Sequence, residues 1–354
     1  MSSTTYFYQD KPLFGLDIGH SSAKIMQLSQ SGGRHVVQGY AATSFPSEYV
    51  SGGALSDPEA MADVLHALFE KQIIGDVTTR RVAIAVPAVR TFNRPITLPK
   101  LAAKDLNEAV RLEAEQYIPI PLDDLYIDYS ITGQTDQEIQ LLAVAAPKKM
   151  IDKYVLLARL LGLELVALET TIGASSRLFV NAEQSEAPTV LIDFGSVAAD
   201  ITVYHHGLVV TGAVPCGGDI FTDTIADNLH VTKQEAHIIK TKYGLGVSKK
   251  QAQIAQALDP ILASLLKEVR RVIRYYEERA SAEAKIGQVV TMGGGANMPG
   301  LSEFITNSLR LPARMCDPWQ NLAFNGLQPP SAQEKSMYVT VAGLSLMNPK
   351  EIFS

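Results

Sequence analysis

The chain has 354 residues, 46% of them apolar and 19% charged, the make-up of a globular protein with room for two or more domains. Its net charge of −6 excludes the basic footprint of a dedicated nucleic-acid binder, and its two cysteines, Cys216 and Cys316, have no metal or redox spacing, as expected of a reduced intracellular chain. The N-terminus MSSTTYFYQDK lacks a signal pattern and the most apolar stretch, YVLLARLLGLELVALE, carries Arg159 and Glu164, so a soluble chain is expected, with any membrane role running through a partner.

In chain order, the spacing predicts a strand at 13–18, a hairpin strand at 22–29, a turn at Gly32-Gly33 and a strand at 35–43. Asp57-Pro58-Glu59 supplies an N-cap, a first-turn proline and an early acid, and Met61, Val64, Leu65, Leu68 and Phe69 follow on one helical face. RVAIAVP reads as a buried strand closed by Pro87. Residues 92–167 differ in character: strand (92–98), helix (101–117), strands (125–132 and 138–146), helix (148–161), strand (163–168), an inserted βαββαβ unit with its own sheet. The prolines of YIPIPL end its first helix. The second half repeats the opening order: strands at 189–194 and 200–205, a turn at His206-Gly207, a strand at 208–214, helices, and the strand QVVTM. Its long helix is expected to start at Asp259-Pro260, with Leu262, Leu265, Leu266, Val269, Val272, Ile273 and Tyr276 as its apolar stripe. SMYVTVAGLSLM reads as a last helix packing back on the core.

The two halves share a motif. LFGLDIGHSSAKIMQLS places Asp17 and Gly19 after a buried strand, and VLIDFGSVAADITVY places Asp193 and Gly195 likewise, 176 residues later. A repeat in register implies two half-domains closing on one ligand. A carboxylate at a strand end suits a hydrated Mg²⁺, and the N–H groups of a tight hairpin suit phosphate oxygens. Gly19 and Gly195 allow close backbone approach, Ser21 and Ser22 add hydroxyls, and Lys24 adds positive charge. A lone copy would be an ordinary turn; two copies heading matched strand sets are not. QVVTMGGGANMPGL adds a third element, a flat glycine surface fit for a purine.

At these residues the sequence resembles the actin, sugar-kinase and heat-shock-chaperone ATPase superfamily, and the insertion resembles its FtsA-like branch. GLDIGHSSAKIMQLS, RLEAEQYIPIPLDDLYIDY, VPCGGDIFTDTIA and EAHIIKTKYG resemble the type IV pilus assembly PilM family, with EAEQYIPIPL the most discriminating string. The resemblance implies an α/β, actin-like (ribonuclease H-like) fold: first half 12–91, insert 92–167, connecting helix 168–188, second half 189–325, and a C-terminal return 326–354. It implies ATP with Mg²⁺ as cofactors, the metal reached through water by Asp17 and Asp193. Asp17, Gly19, Ser21, Ser22 and Lys24 would form the first phosphate loop, Asp193 and Gly195 the second, and Gly293, Gly294, Gly295 and Met298 the adenosine loop. Gly217 and Gly218 would turn free N–H groups to a phosphate, or only allow a tight turn; Lys240 would flank the ribose, or be a solvated charge.

Two departures weaken the pattern. Val197 and Ala198 stand where relatives carry a threonine hydroxyl, and His237 stands where many carry a ribose-binding glutamate, while Glu235 belongs to a capping box with Thr232. Weak or absent hydrolysis is therefore expected, and either Glu169 or Thr171 aligns with the residue that orients the attacking water. As partner, the resemblance implies the N-terminal Asn-Leu-Leu-type cytoplasmic peptide of the membrane protein PilN, and a link to the pilus motor ATPase, on the cytoplasmic face of the inner membrane. On the 101–117 helix, Glu113 falls on the face of Leu106, Ala109, Val110 and Tyr117. Glu113 is either a boundary carboxylate reaching solvent or Arg94, or borders, with Tyr117, a peptide groove against the first half-domain. The competing readings are a polymerising FtsA-like division protein, whose basic amphipathic tail SLMNPKEIFS does not supply, a type II secretion counterpart, and a small-molecule kinase.

Overall fold

The computed structural model describes residues 11–182, 187–279 and 284–352. Strand β1 (Phe14–Ile18) is buried throughout and pairs antiparallel with β2 (Ser22–Ser31), which pairs with β3 (Arg34–Ser44). Helix α1 (Pro58–Lys71) starts as its sequence dictates: Asp57 accepts a bond from the Ala60 N–H, and Met61, Leu65 and Leu68 are buried. Strand β4 (Arg81–Val86), buried at all six positions, pairs parallel with β1.

The insert follows as β5 (Phe92–Pro99), α2 (Ala103–Glu115), β6 (Leu125–Gln134) and β7 (Glu138–Pro147), in a separate antiparallel sheet ordered β5-β7-β6. Leu106 and Val110 of α2 pack against Ile96, Ile139 and Leu141. Next come α3 (Lys148–Leu160) and β8 (Glu164–Thr170). The order βαββαβ stands as read, but its last strand does not join the insert's sheet: β8 pairs parallel with β4. The physical reason is the crossover, since a helix between parallel neighbours returns the chain to the sheet it left. Helix α4 (Thr171–Ala182) completes the connection.

The second half has β9 (Thr189–Phe194), β10 (Ala199–Tyr204) and β11 (Leu208–Val214), then α5 (Gly218–Leu229), α6 (Lys233–Lys242) and α7 (Gln251–Glu277), then β12 (Gln288–Met292), α8 (Leu301–Leu309) and β13 (Ala313–Met315). Its sheet runs β11-β10-β9-β12-β13, over a core that includes Ile192, Phe194, Phe221, Leu265 and Val269. Helix α7 does not start at Asp259-Pro260: it starts at Gln251 and carries Pro260 inside. Ile254, Ala257 and Leu258 extend the buried stripe backwards, and their burial offsets the roughly 3 kcal/mol cost of an interior proline.

The C-terminal return begins earlier than expected, since Leu322 and Ala323 already pair with β3. Helix α9 (Val339–Ser345) packs back as read, and it does so on glycines: a Cβ at Gly343 would lie within contact of the Ala174 carbonyl, and one at Gly15 would lie 2.7 Å from the Val341 carbonyl. The chain groups into two units, 1–87 with 152–184 and 317–354, and 88–151 with 185–316.

Candidate functional site

The first loop is a tight hairpin. The Gly19 N–H donates to the Ser22 carbonyl at 2.9 Å, leaving His20 and Ser21 as a two-residue tip, and Ser21 accepts from the Phe45 N–H at 3.1 Å. Asp17 on β1 lies opposite Lys24 on β2, and Lys24 Nζ sits 3.9 Å from Asp17 Oδ2 and donates to Ser22 Oγ at 3.0 Å. Both residues are buried, at 9% and 5% exposure. Burial pushes the Asp17 carboxyl above the usual carboxylate range, and the Lys24 charge offsets only part of this. Sequence reasoning missed Tyr154 of α3, whose helical spacing reads only as core. It is fully buried, its Oη accepts the Leu55 N–H at 3.3 Å, and its phenol is pushed up to about 12, chiefly by burial, with the Leu55 bond opposing and the Asp17 charge adding.

The second loop has the same closure: the Gly195 N–H donates to the Ala198 carbonyl at 3.0 Å, and Asp193 lies opposite Asp200 where Asp17 lies opposite Lys24. The carbonyls of Gly195 and Ser196 accept the Gly218 and Asp219 N–H groups, both at 2.8 Å. Of the two readings of Gly217-Gly218, the tight turn is the one these bonds favour. The Gly218 N–H is engaged by the loop itself, and Gly217 is there for close approach: a Cβ would lie 2.2 Å from the Ser196 carbonyl.

Lys240 on α6 is not a solvated charge. It is 8% exposed, and Nζ donates to the Gly218 carbonyl at 2.7 Å and to Thr222 Oγ1 at 2.8 Å. Burial lowers its pKa, with Asp219 and Asp223 pulling the other way. His237, on the same helix, is held towards its neutral form by burial and by the Lys240 charge, against Asp219. Glu235 is occupied as expected: it accepts the Thr232 N–H at 2.9 Å while its own N–H donates to Thr232 Oγ1 at 3.2 Å.

The triple glycine lies directly on the end of β9. Gly293 has φ 81°, and a Cβ there would lie 2.3 Å from Asp193 Oδ1; one at Gly295 would lie 2.9 Å from Phe194 Cβ. Gly294 opens a 3₁₀ turn, and Met298 is 4% exposed within the core, so its side chain supports this loop from below. In this unit, then, the structure brings together Asp193, Gly195, Gly217, Gly218, Lys240 and the glycine loop.

Glu169 is tied down: Arg177 donates to both its oxygens, at 2.5 and 2.7 Å, and also to the Gly343 carbonyl at 3.2 Å. Thr171 opens α4. In the insert, Tyr117 lies just beyond α2 and packs against two apolar clusters, one with Val110 and Leu141, the other with Ile118 and Leu125. Arg94 does not reach for Glu113; its guanidinium stacks 3.8 Å over the Tyr117 ring, while Glu113 accepts from Gln116 Nε2 at 3.2 Å. The buried Tyr117 hydroxyl has no hydrogen-bond partner among the described residues.

Among the described residues no group of three or more His, Cys, Asp or Glu side chains is placed to hold a metal. Single carboxylates at strand ends fit a hydrated Mg²⁺ that keeps its waters and shares phosphate oxygens, and do not fit an all-protein cage. Among the described residues no helix is long and apolar enough to cross a membrane.

Two β-sheet halves with matching Asp-x-Gly hairpins define an actin-like α/β fold. MreB5 of Spiroplasma citri bound to ADP shares it, at 14% identity and a TM-score of 0.55, over 95% of each chain. The chain belongs to the type IV pilus assembly protein PilM family, whose profile matches residues 15–348. The solved PilM-PilN type IV pilus biogenesis complex is similar to it at a TM-score of 0.82 and 24% identity, over 95% of this chain and 98% of that one. Cell division protein FtsA of Borreliella burgdorferi is 28% identical over 174 residues, and that match spans 44% of this chain and 41% of FtsA.

Proposed function

We propose that this protein is a nucleotide-binding adaptor of the pilus assembly platform, binding ATP with Mg²⁺ as a structural ligand through its Asp-x-Gly loops. The observation that carries this is the repeated turn: Gly19 to Ser22 and Gly195 to Ala198 close by the same bond behind buried Asp17 and Asp193. Ser21, Ser22 and Lys24 would meet phosphate, and Lys240 and the Gly293–Gly295 loop would meet the nucleoside. Bound Mg²⁺ supplies charge neutralisation of the phosphates, and the protein's carboxylates orient its waters. Slow or absent turnover follows from Ala198 and His237, which lack the expected polar contacts, and from Glu169, which Arg177 already holds. A Mg-ATP thermal stabilisation that survives Asp17→Ala unchanged sinks the site, and brisk ATP hydrolysis sinks the adaptor.

The partner in this reading is the cytoplasmic N-terminal peptide of a PilN-like membrane protein, bound near Glu113 and Tyr117, which would hold the protein at the cytoplasmic face of the inner membrane. The orphan Tyr117 hydroxyl supports this, since a peptide main chain would satisfy it. Tyr117→Phe keeps the packing and removes only the hydroxyl. Weakened peptide binding with unchanged stability is expected; equal affinity moves the groove elsewhere, and no affinity in the wild type removes the tether.

A further inference from the structure

The parallel strands β1, β4 and β8 run side by side in one sheet, and their registers set residues in rows. Leu16 lies beside Ile84, which lies beside Leu168, so the next row holds Asp17, Ala85 and Glu169. Neighbours in a row point to one face, and the two carboxylates stand two strand spacings apart, about 10 Å. Ala85 between them adds only a methyl group. Ligands of open α/β sheets bind beyond the carboxyl ends of parallel strands, so Glu169 belongs to the same half-site as the Asp17 hairpin.

What sets Glu169 apart is its restraint. Arg177 closes on it with both arms of the guanidinium, at 2.5 and 2.7 Å, and Nη1 also donates to the Gly343 carbonyl of α9 at 3.2 Å. Two-pronged pairs of this kind are among the strongest side-chain hydrogen bonds. The pair is not sealed in the core, since the Glu169 side chain is 19% exposed and that of Arg177 30%. Gly173, in the first turn of α4, makes room for it: a Cβ there would lie 3.0 Å from Glu169 Oε1 and 3.2 Å from its Cγ. Glycine inside a helix is less favourable than alanine, so helix formation does not explain this residue. The Glu169 side chain curled over it does.

We propose that Glu169 is a catalytic carboxylate held idle, and that the Arg177 clasp, fixed by α9, suppresses hydrolysis of a nucleoside triphosphate bound at this half-site. The inference rests on the nucleotide reading above and adds its regulation. Freed from Arg177, Glu169 takes a proton from a water as the water oxygen bonds to the terminal phosphorus. The bond from that phosphorus to its bridging oxygen breaks, the diphosphate leaves with the electron pair, and the proton passes to solvent.

The test is phosphate release by the full chain with Mg-ATP, read beside thermal stabilisation by Mg-ATP for each variant. Arg177→Ala opens the clasp, and Gly173→Ala loosens it while leaving Arg177 in place and favouring the helix. Release should be at least tenfold faster in Arg177→Ala and should rise less in Gly173→Ala. Adding Glu169→Gln to either should return the wild-type rate. Release no faster than wild type in both variants, with Mg-ATP stabilisation intact, overturns the clasp. A rise that survives Glu169→Gln also overturns it. So does loss of Mg-ATP stabilisation in both variants but not in the wild type, which makes the pair part of binding. A wild type that Mg-ATP does not stabilise fails the nucleotide reading itself, and this inference with it.

Discussion

Alanine at Gly217, set against alanine at Gly218, tests the close packing of the second loop. Gly217 has φ −121° and ψ 174°, a conformation alanine adopts freely, so backbone strain contributes nothing. Space is the whole issue. A Cβ would lie 2.2 Å from the Ser196 carbonyl oxygen and 2.5 Å from the Val197 nitrogen, both main-chain atoms that no rotamer can move aside, whereas ordinary contact begins at 3.4 Å. The loop must retreat, and in retreating it stretches the two 2.8 Å bonds from Gly218 and Asp219. Two such bonds at about 0.5–1.5 kcal/mol each, plus about 1–3 kcal/mol of overpacking, give a loss of about 2–6 kcal/mol. Gly218→Ala meets nothing nearer than 3.6 Å and gains up to about 1 kcal/mol of helix propensity, so it should be neutral or slightly stabilising. Trp319, the only tryptophan, belongs to the other unit, so the assay is denaturant-dependent amide exchange read in β9, β10 and α5. Two variants of equal stability, or Gly217→Ala within about 0.5 kcal/mol of wild type, would refute this packing argument.

Asp17, whose folded pKa is raised, favours the folded state fully below its ordinary value of 3.8 and loses that contribution as pH rises through the raised value. Asp17→Asn should therefore flatten the pH dependence of stability across that window, and an unaltered profile from pH titrations of unfolding counts against the burial argument. Burial pushes the Cys216 thiol up to about 12, so in a Cys316→Ser background a disulfide reagent at pH 8 should label it only on unfolding; rapid native labelling contradicts this. Gly343→Ala drives a methyl group into the Ala174 carbonyl, and should loosen α9 from α4 by several kcal/mol (about 2–5), read by Trp319 fluorescence; a neutral result would show that the helices separate freely.

Local chemistry made much of this protein legible in its sequence. The Asp57 cap, the Thr232–Glu235 capping box, the glycine turns and the two Asp-x-Gly hairpins each depend on residues a few positions apart, so the pattern alone sets them. The start of α7 was misread because a local rule, proline at a helix start, competed with a longer-range one, the burial of Ile254 and Leu258, and burial won. Only the tertiary structure could decide which sheet β8 joins, because a run of four apolar residues, Leu165 to Leu168, carries no record of its neighbour. The same holds for Lys240, whose sequence neighbours look solvated while its ammonium is buried against Gly218 and Thr222. Tyr154 reads as one more helix-face residue until the fold brings it near Asp17. Hydrogen bonds within a turn are written by adjacent residues, whereas desolvation and close approach arise from parts of the chain that meet only on folding.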